Sequence, residues 1–253
     1  MTRDRLARHR ASLYAVAPRA APCRAHPTGR RAVALALFDL DNTLLAGDSD
    51  YLWGGFLARE GLVDGEAYER ENLRYYRAYQ AGELDIHEFL RFALRPLAAH
   101  DPALLEAVRE RFVAETITPI VAPGTPGLLE RHRTAGDRLA IITATNRFVT
   151  GPIAALLGID DLLATEPQQV DGRYTGEPEG VPCFREGKVT RLHAWLEAEG
   201  LDLKGSWFYS DSLNDLPLLE AVDHPVAVDP DATLATTATE RGWPIISLRG
   251  PAV

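Results

Sequence analysis

The sequence predicts an α/β domain with a Rossmann-like parallel sheet, helices on both of its faces, and a small all-helical insertion after the first strand. Three observations predict it. Short apolar runs at 32–38, 139–142 and 207–209 each stop abruptly at acidic or hydroxyl side chains. Stretches with helical spacing separate these runs, and that alternation implies parallel strands joined by right-handed crossovers. Residues 50–121 carry helical patterns only, before the strand pattern resumes.

The first run, Ala32-Val33-Ala34-Leu35-Ala36-Leu37-Phe38, is too short for a helix and apolar throughout. It reads as a strand buried on both faces. A turn with Gly47 and an Asp/Ser cap follows. Leu52, Phe56 and Leu57 mark a first helix, and Tyr68, Leu73, Tyr75, Tyr76 and Tyr79 a second. Ile86, Phe89, Leu90, Ala93, Leu94 and Leu97 repeat every 3.6 residues as a third. Asp101-Pro102 opens a fourth, with proline in the first turn where its missing N–H costs nothing. Tyrosines at this spacing, like Phe92, read as packing. Pro119, Pro123, Gly124, Pro126 and Gly127 mark the return to the core, which comprises residues 33–49 and 122–253.

There, helices are expected at 128–132, 148–157, 188–198, 215–222 and 232–241, and strands at 138–143, 161–165, 207–210, 226–228 and 245–246. Asp171-Gly172 inside 169–175 is a hairpin signal.

Charge divides the chain unevenly. Of 27 Lys and Arg and 36 Asp and Glu, eight arginines and one aspartate lie in residues 1–32. The remainder holds 19 basic against 35 acidic residues, a net charge of −16. So acidic a body is a poor partner for nucleic acid or an anionic membrane. Residues 1–32, with Pro18, Pro22 and Pro27, read as a disordered basic leader outside the fold. Cys23 and Cys183 form no disulfide framework or zinc spacing, which suits a reducing cytoplasm. No apolar run approaches the ~18 residues of a membrane span. A monomer or homodimer is expected.

The chemistry gathers at strand ends. Asp39 and Asp41 close the first strand, Thr143 the second, and Asp211 the fourth, with Asp215 four residues on. Ligands of open α/β sheets bind beyond the carboxyl ends of the strands. Two carboxylates 4 Å apart repel by roughly 4 kcal/mol at an effective dielectric near 20, so a cation belongs between them. Oxygen donors alone suit a hard ion such as Mg²⁺. Asp39, the main-chain carbonyl of Asp41 and Asp211 are its candidate ligands, with Asp215 or Asn214 holding one of its waters. Thr143, Lys188 and the backbone near Ala144 and Thr145 suit the oxygens of a phosphoryl group. Taken alone, Lys188 is a solvated lysine at a helix start, and Asp215 a partner of a helix dipole.

In order, Asp39-Leu40-Asp41-Asn42-Thr43, Thr143, Lys188 and Ser210-Asp211-Ser212-Leu213-Asn214-Asp215 resemble the four motifs of the haloacid dehalogenase-like superfamily across residues 33–248. The helical insertion is similar to the small C1 cap of its phosphoserine phosphatase-like branch. The resemblance implies a Mg²⁺-dependent phosphomonoesterase with a phosphoaspartyl intermediate. Asp39 would be the nucleophile and Asp41 the general acid and base. Thr143, Ala144 and Lys188 would hold the phosphoryl oxygens, and Asp39, Asp41, Asp211 and Asp215 the metal. A phospho-receiver module shares the strand-end Asp, Thr and Lys, but needs neither Asp41 nor a helical cap.

In that branch an acidic residue after the first motif binds the substrate's ammonium, and a cap arginine binds its carboxylate. Asp48 matches the first position. Ala93 falls on the second, with Arg91 two residues before it as the nearest candidate. A substrate with an amine and no carboxylate, such as histidinol phosphate, fits that pattern best. Phosphoserine is the alternative, as is phosphoryl transfer to an acceptor alcohol by the same aspartyl chemistry.

Overall fold

A computed structural model describes residues 33–250. The basic leader, expected at 1–32, lies outside the described residues. Seven strands form one sheet: β1 (Leu35–Phe38), β2 (Arg138–Asn146), β3 (Asp161–Val170), β4 (Arg173–Glu179), β5 (Trp207–Ser210), β6 (His224–Val228) and β7 (Ile245–Ile246). Their order is β4-β3-β2-β1-β5-β6-β7, and every neighbouring pair is parallel except β3–β4. The chain leaves β1 toward β2 on one side and later returns to β5 on the other. That reversal makes the carboxyl end of β1 the topological switch point, where such sheets bind ligands.

Both faces of the sheet are covered. Side chains alternate along a strand, so Leu35 and Leu37 pack on one face with Ala140, Ile142 and Phe208. Ala36 and Phe38 pack on the other with Ile141, Tyr209 and Val226. Helices α5 (Thr125–Ala135) and α6 (Arg147–Leu156) serve the Phe38 face. Helix α7 (Glu186–Glu199), the four-residue α8 (Leu216–Leu219) and α9 (Ala232–Arg241) serve the Leu37 face.

The segment after β1 is helical, as expected: α1 (Ser49–Arg59), α2 (Gly65–Gln80), α3 (Ile86–Ala99) and α4 (Pro102–Phe112), then helical turns to Ile120. Leu45 and Val121 pair as an isolated bridge where the chain leaves and rejoins the sheet. Aspartates cap these helices. Asp48, Asp85 and Asp101 accept backbone N–H bonds from the first turns of α1, α3 and α4, each cap worth roughly 1 kcal/mol. The block shares its apolar core with the sheet. Trp53 lies 5.2 Å from Phe112 and 5.9 Å from Phe148, ring centre to ring centre.

Two elements differ from the sequence reading. The expected third strand and first hairpin arm are one strand, β3, which runs through Pro167 with a register shift before Gln169. Proline lacks a ladder N–H, and the irregularity there accommodates it. The helix expected at 215–222 shrinks to α8, because residues 213–215 form a tighter turn that aims Asp215 inward.

Candidate active site

The turn after β1 builds the centre of the site. Asn42 takes a left-handed conformation (φ 57°), which reverses the chain directly after Asp41. Asp39 and Asp41 take different partners. Asp39 is buried, and its Oδ1 accepts from Lys188 Nζ at 2.7 Å. Asp41 turns toward the insertion, where Oδ1 accepts from Ser49 N–H at 2.6 Å and Oδ2 from Thr145 Oγ1 at 2.7 Å. A carboxylate held by donors from α1 and β2 is oriented before any substrate arrives.

Lys188, near the start of α7, is buried between two acids. Its ammonium donates to Asp39 and, at 2.8 Å, to Asp215. Burial alone would lower it, but Asp215 and Asp39 outweigh burial and hold it charged above its usual range. Ser210 Oγ donates to Asp215 at 2.7 Å. Thr43 connects the first and last groups, its Oγ1 lying 3.3 Å from Asp39 Oδ2 and 3.2 Å from Asp211 Oδ1. Burial pushes Asp39 up to about 7, against the pull of Lys188. Burial, then Asp39 and Asp215, push Asp211 well above the carboxylate range. Burial, then repulsion from Asp48, raise Asp41 to about 6, which suits a group that gives and takes a proton near neutrality.

Three carboxylates, Asp39, Asp211 and Asp215, thus act on one another, and the one buried ammonium bonds only Asp39 and Asp215. The excess negative charge and all-oxygen donor set fit a hard divalent cation. The oxygens that could hold it belong to Asp39, Asp211 and the main-chain carbonyl of Asp41; the Asp41 side chain is turned toward Ser49 and Thr145. Among the described residues no three Asp, Glu, His or Cys side chains stand as a finished cage. Asp215 is committed to Lys188 and Ser210, so it acts on such an ion through its charge. Asn214 bonds elsewhere: Nδ2 donates to Tyr79 O at 3.2 Å and Oδ1 accepts from Arg185 Nε at 3.0 Å. Arg185 also donates to Gly82 O, so the pair ties the end of α2 to the core.

A cavity runs from Asp39, Thr143 and Ala144 past Asp41, Asp48 and Asp50 to walls formed by Tyr51, Tyr76, Tyr79, Leu84 and Phe89. Thr143 is buried and accepts from Thr145 N–H at 3.2 Å. Arg91 is not there. It is exposed on α3 and borders a separate groove with Glu71, Arg74 and Glu88. Helix α3 buries Leu90, Ala93, Leu94 and Leu97, and one residue's step of about 100° turns position 91 off that face. Arg91, expected from the sequence as a substrate ligand, thus stands outside the cavity.

The tyrosines read as packing divide. Tyr76 and Tyr79 line the cavity. Tyr75 borders it too, but its hydroxyl donates to Glu88 at 3.0 Å, while Phe92 stacks on Tyr68 with 4.4 Å between ring centres. Asp50, Asn72 and the Thr145 hydroxyl are site groups that the sequence reading did not single out. Thr145 was within reach, since residues 143 and 145 of a strand share a face. Asp50 looks in sequence like any first-turn acid, and Asn72 like any polar helix residue.

Fold and site together define a hydrolase class, and comparison places the chain in it. The chain belongs to the family of haloacid dehalogenase-like hydrolases, whose sequence model matches residues 36–220. It is 45% identical over 219 residues to a histidinol-phosphatase of Neisseria meningitidis serogroup C (strain 8013), covering 85% of this chain and 99% of that protein. It is 35% identical to the phosphoserine phosphatase SerB1 of Mycobacterium tuberculosis, covering 85% of this chain and 71% of the other. A solved protein of unknown function from Bordetella pertussis Tohama I is 47% identical, with a TM-score of 0.82 over 86% of this chain and all of that one. With such relatives the chain is a phosphatase of that family.

Proposed function

We propose that this chain hydrolyses the phosphate monoester of a small amine-bearing alcohol, with histidinol phosphate as the substrate that fits best. The cavity carries this reading. It joins Asp39 and Thr143 to Asp48 and Asp50, and no Arg, Lys or His stands among its lining residues. A phosphoamino acid would bring a carboxylate there with nothing to pair it, and an unpaired buried charge costs several kcal/mol. An ammonium or imidazolium meets four acids and several aromatic faces there. The relative's name, histidinol-phosphatase, points the same way.

The chemistry follows from the placement of each group. Lys188 neutralises Asp39 enough for an anionic phosphate to approach. An oxygen of Asp39 attacks phosphorus as the ester P–O bond breaks, and the Asp41 carboxyl passes its proton to the departing alkoxide. Asp41, now a carboxylate, takes a proton from water as that water attacks the phosphoaspartyl phosphorus. Inorganic phosphate leaves and Asp39 is regenerated. Thr143, the Ala144 backbone and Lys188 hold the equatorial oxygens. Mg²⁺ held by Asp39, Asp211 and the Asp41 carbonyl would neutralise phosphate charge and orient the ester, as is typical of such phosphatases.

Steady-state hydrolysis of histidinol phosphate and phosphoserine, side by side with and without Mg²⁺, tests the reading. Histidinol phosphate should show the higher kcat/KM, with activity dependent on the metal. Equal or greater efficiency on phosphoserine defeats the substrate assignment and leaves the aspartyl chemistry standing. Added alcohols identify the transferase alternative by a phosphorylated alcohol in place of free phosphate. No described helix is long and apolar enough to cross a membrane, and we place the enzyme in the cytoplasm with its small-molecule substrate.

A further inference from the structure

We propose that Asp50, assisted by the carboxamide oxygen of Asn72, receives the cationic nitrogen of the substrate in place of Asp48; this assignment rests on the amine-ester reading above. Both acids face the cavity, but their carboxylates are differently placed. Asp48 is the N-cap of α1, and its Oδ1 accepts from Tyr51 N–H at 2.8 Å. Asp50, two residues on, makes no side-chain hydrogen bond or ion pair with any described residue. An acid that served only the helix dipole would stand in water. Asp50 is instead half-buried, with Asp48 and Asp41 close enough to repel it. A carboxylate in that position lacks only a cation.

Asn72 provides the second acceptor. Its Nδ2 donates to Tyr51 O at 2.8 Å, which fixes the amide and leaves Oδ1 with no partner among the described residues. The close approach is made possible by Gly54: a Cβ there would stand 2.5 Å from Asn72 Nδ2. Asp50 lies four residues before Gly54, on the same face of α1. A carboxylate from α1 and an amide from α2 therefore face the same cavity. Asp50 and Asn72 belong to α1 and α2, whereas Asp39 ends β1, so the pair stands on the helical side of the cavity. Tyr51 and Tyr76, packed on each other with ring centres 4.8 Å apart, line the same cavity and offer it aromatic surface. The substrate class is then a phosphate ester that carries a protonated amine or imidazole.

The test reads one ratio, kcat/KM for histidinol phosphate over kcat/KM for p-nitrophenyl phosphate, in wild type, Asp50→Asn, Asp50→Glu and Asp48→Asn. Asp50→Asn should lower the ratio by about 30-fold, the scale of one charge-assisted hydrogen bond, through KM for histidinol phosphate. Asp50→Glu should keep most of it, and Asp48→Asn should lower it less while lowering Tm. A purely structural role would depress both esters together and leave the ratio in place. A wild-type preference that survives Asp50→Asn, or falls further in Asp48→Asn, overturns the assignment alone. A wild type with no preference for histidinol phosphate overturns the amine-ester reading, and the assignment with it.

Discussion

The two ends of the cavity are finished to different degrees. At the strand ends every acid has partners: Asp39 has Lys188 and Thr43, Asp41 has Ser49 and Thr145, and Asp215 has Lys188 and Ser210. At the helical end Asp50 and the Asn72 oxygen have none among the described residues. The difference separates two tasks. Groups that act on phosphorus must be oriented before the reaction begins, because reorganisation during it would raise the barrier. Groups that recognise the alcohol can wait, since the ligand itself supplies the missing cation. A satisfied site discriminates poorly; an unsatisfied one binds only what completes it.

Substitutions at the two ends should therefore break the enzyme in different ways. Asp39→Asn removes the proposed nucleophile and should lower kcat on every ester, on the order of 10⁴-fold or more, read by phosphate release. Chelation of divalent ions should abolish turnover to a similar degree, with Mg²⁺ restoring it. Asp41→Asn should cost about 10²- to 10⁴-fold on alkyl esters. That loss should shrink on p-nitrophenyl phosphate, whose leaving group needs no proton, and an equal loss on both would remove Asp41 as the acid.

Lys188→Met leaves Asp39 and Asp215 facing each other without the buried ammonium. Thermal or urea unfolding should show a loss of about 3–5 kcal/mol beside the loss of activity. Arg91→Ala marks the low end of the scale, with kcat/KM for histidinol phosphate and phosphoserine within about twofold of wild type, as for a surface side chain. A large rise in KM for phosphoserine alone would return Arg91 to the site.

The same contrast decides what could be read from sequence. Asp39, Asp41, Thr143 and Asp211 were legible because a strand end is a local event: an apolar run stops, and what stops it stands at the switch point. The helical insertion was legible by its period. Asp50 and Asn72 were not, because 21 residues and a helix crossing at Gly54 separate α1's acid from α2's amide. Arg91 erred for a related reason. Its helix was found, but which face α3 buries depends on what packs against it, and that is a property of the folded chain. The merging of the third strand with the hairpin arm likewise turned on one proline that the sheet tolerates at an irregularity.

The most direct trial is to acid-quench the enzyme during turnover of histidinol phosphate and locate the phosphoryl group by peptide mass spectrometry. Covalent catalysis at the end of β1 predicts one phosphoryl group on the peptide that contains Asp39, lost in Asp39→Asn. Full-rate turnover with no phosphorylated peptide, or a label on any other residue, would contradict it.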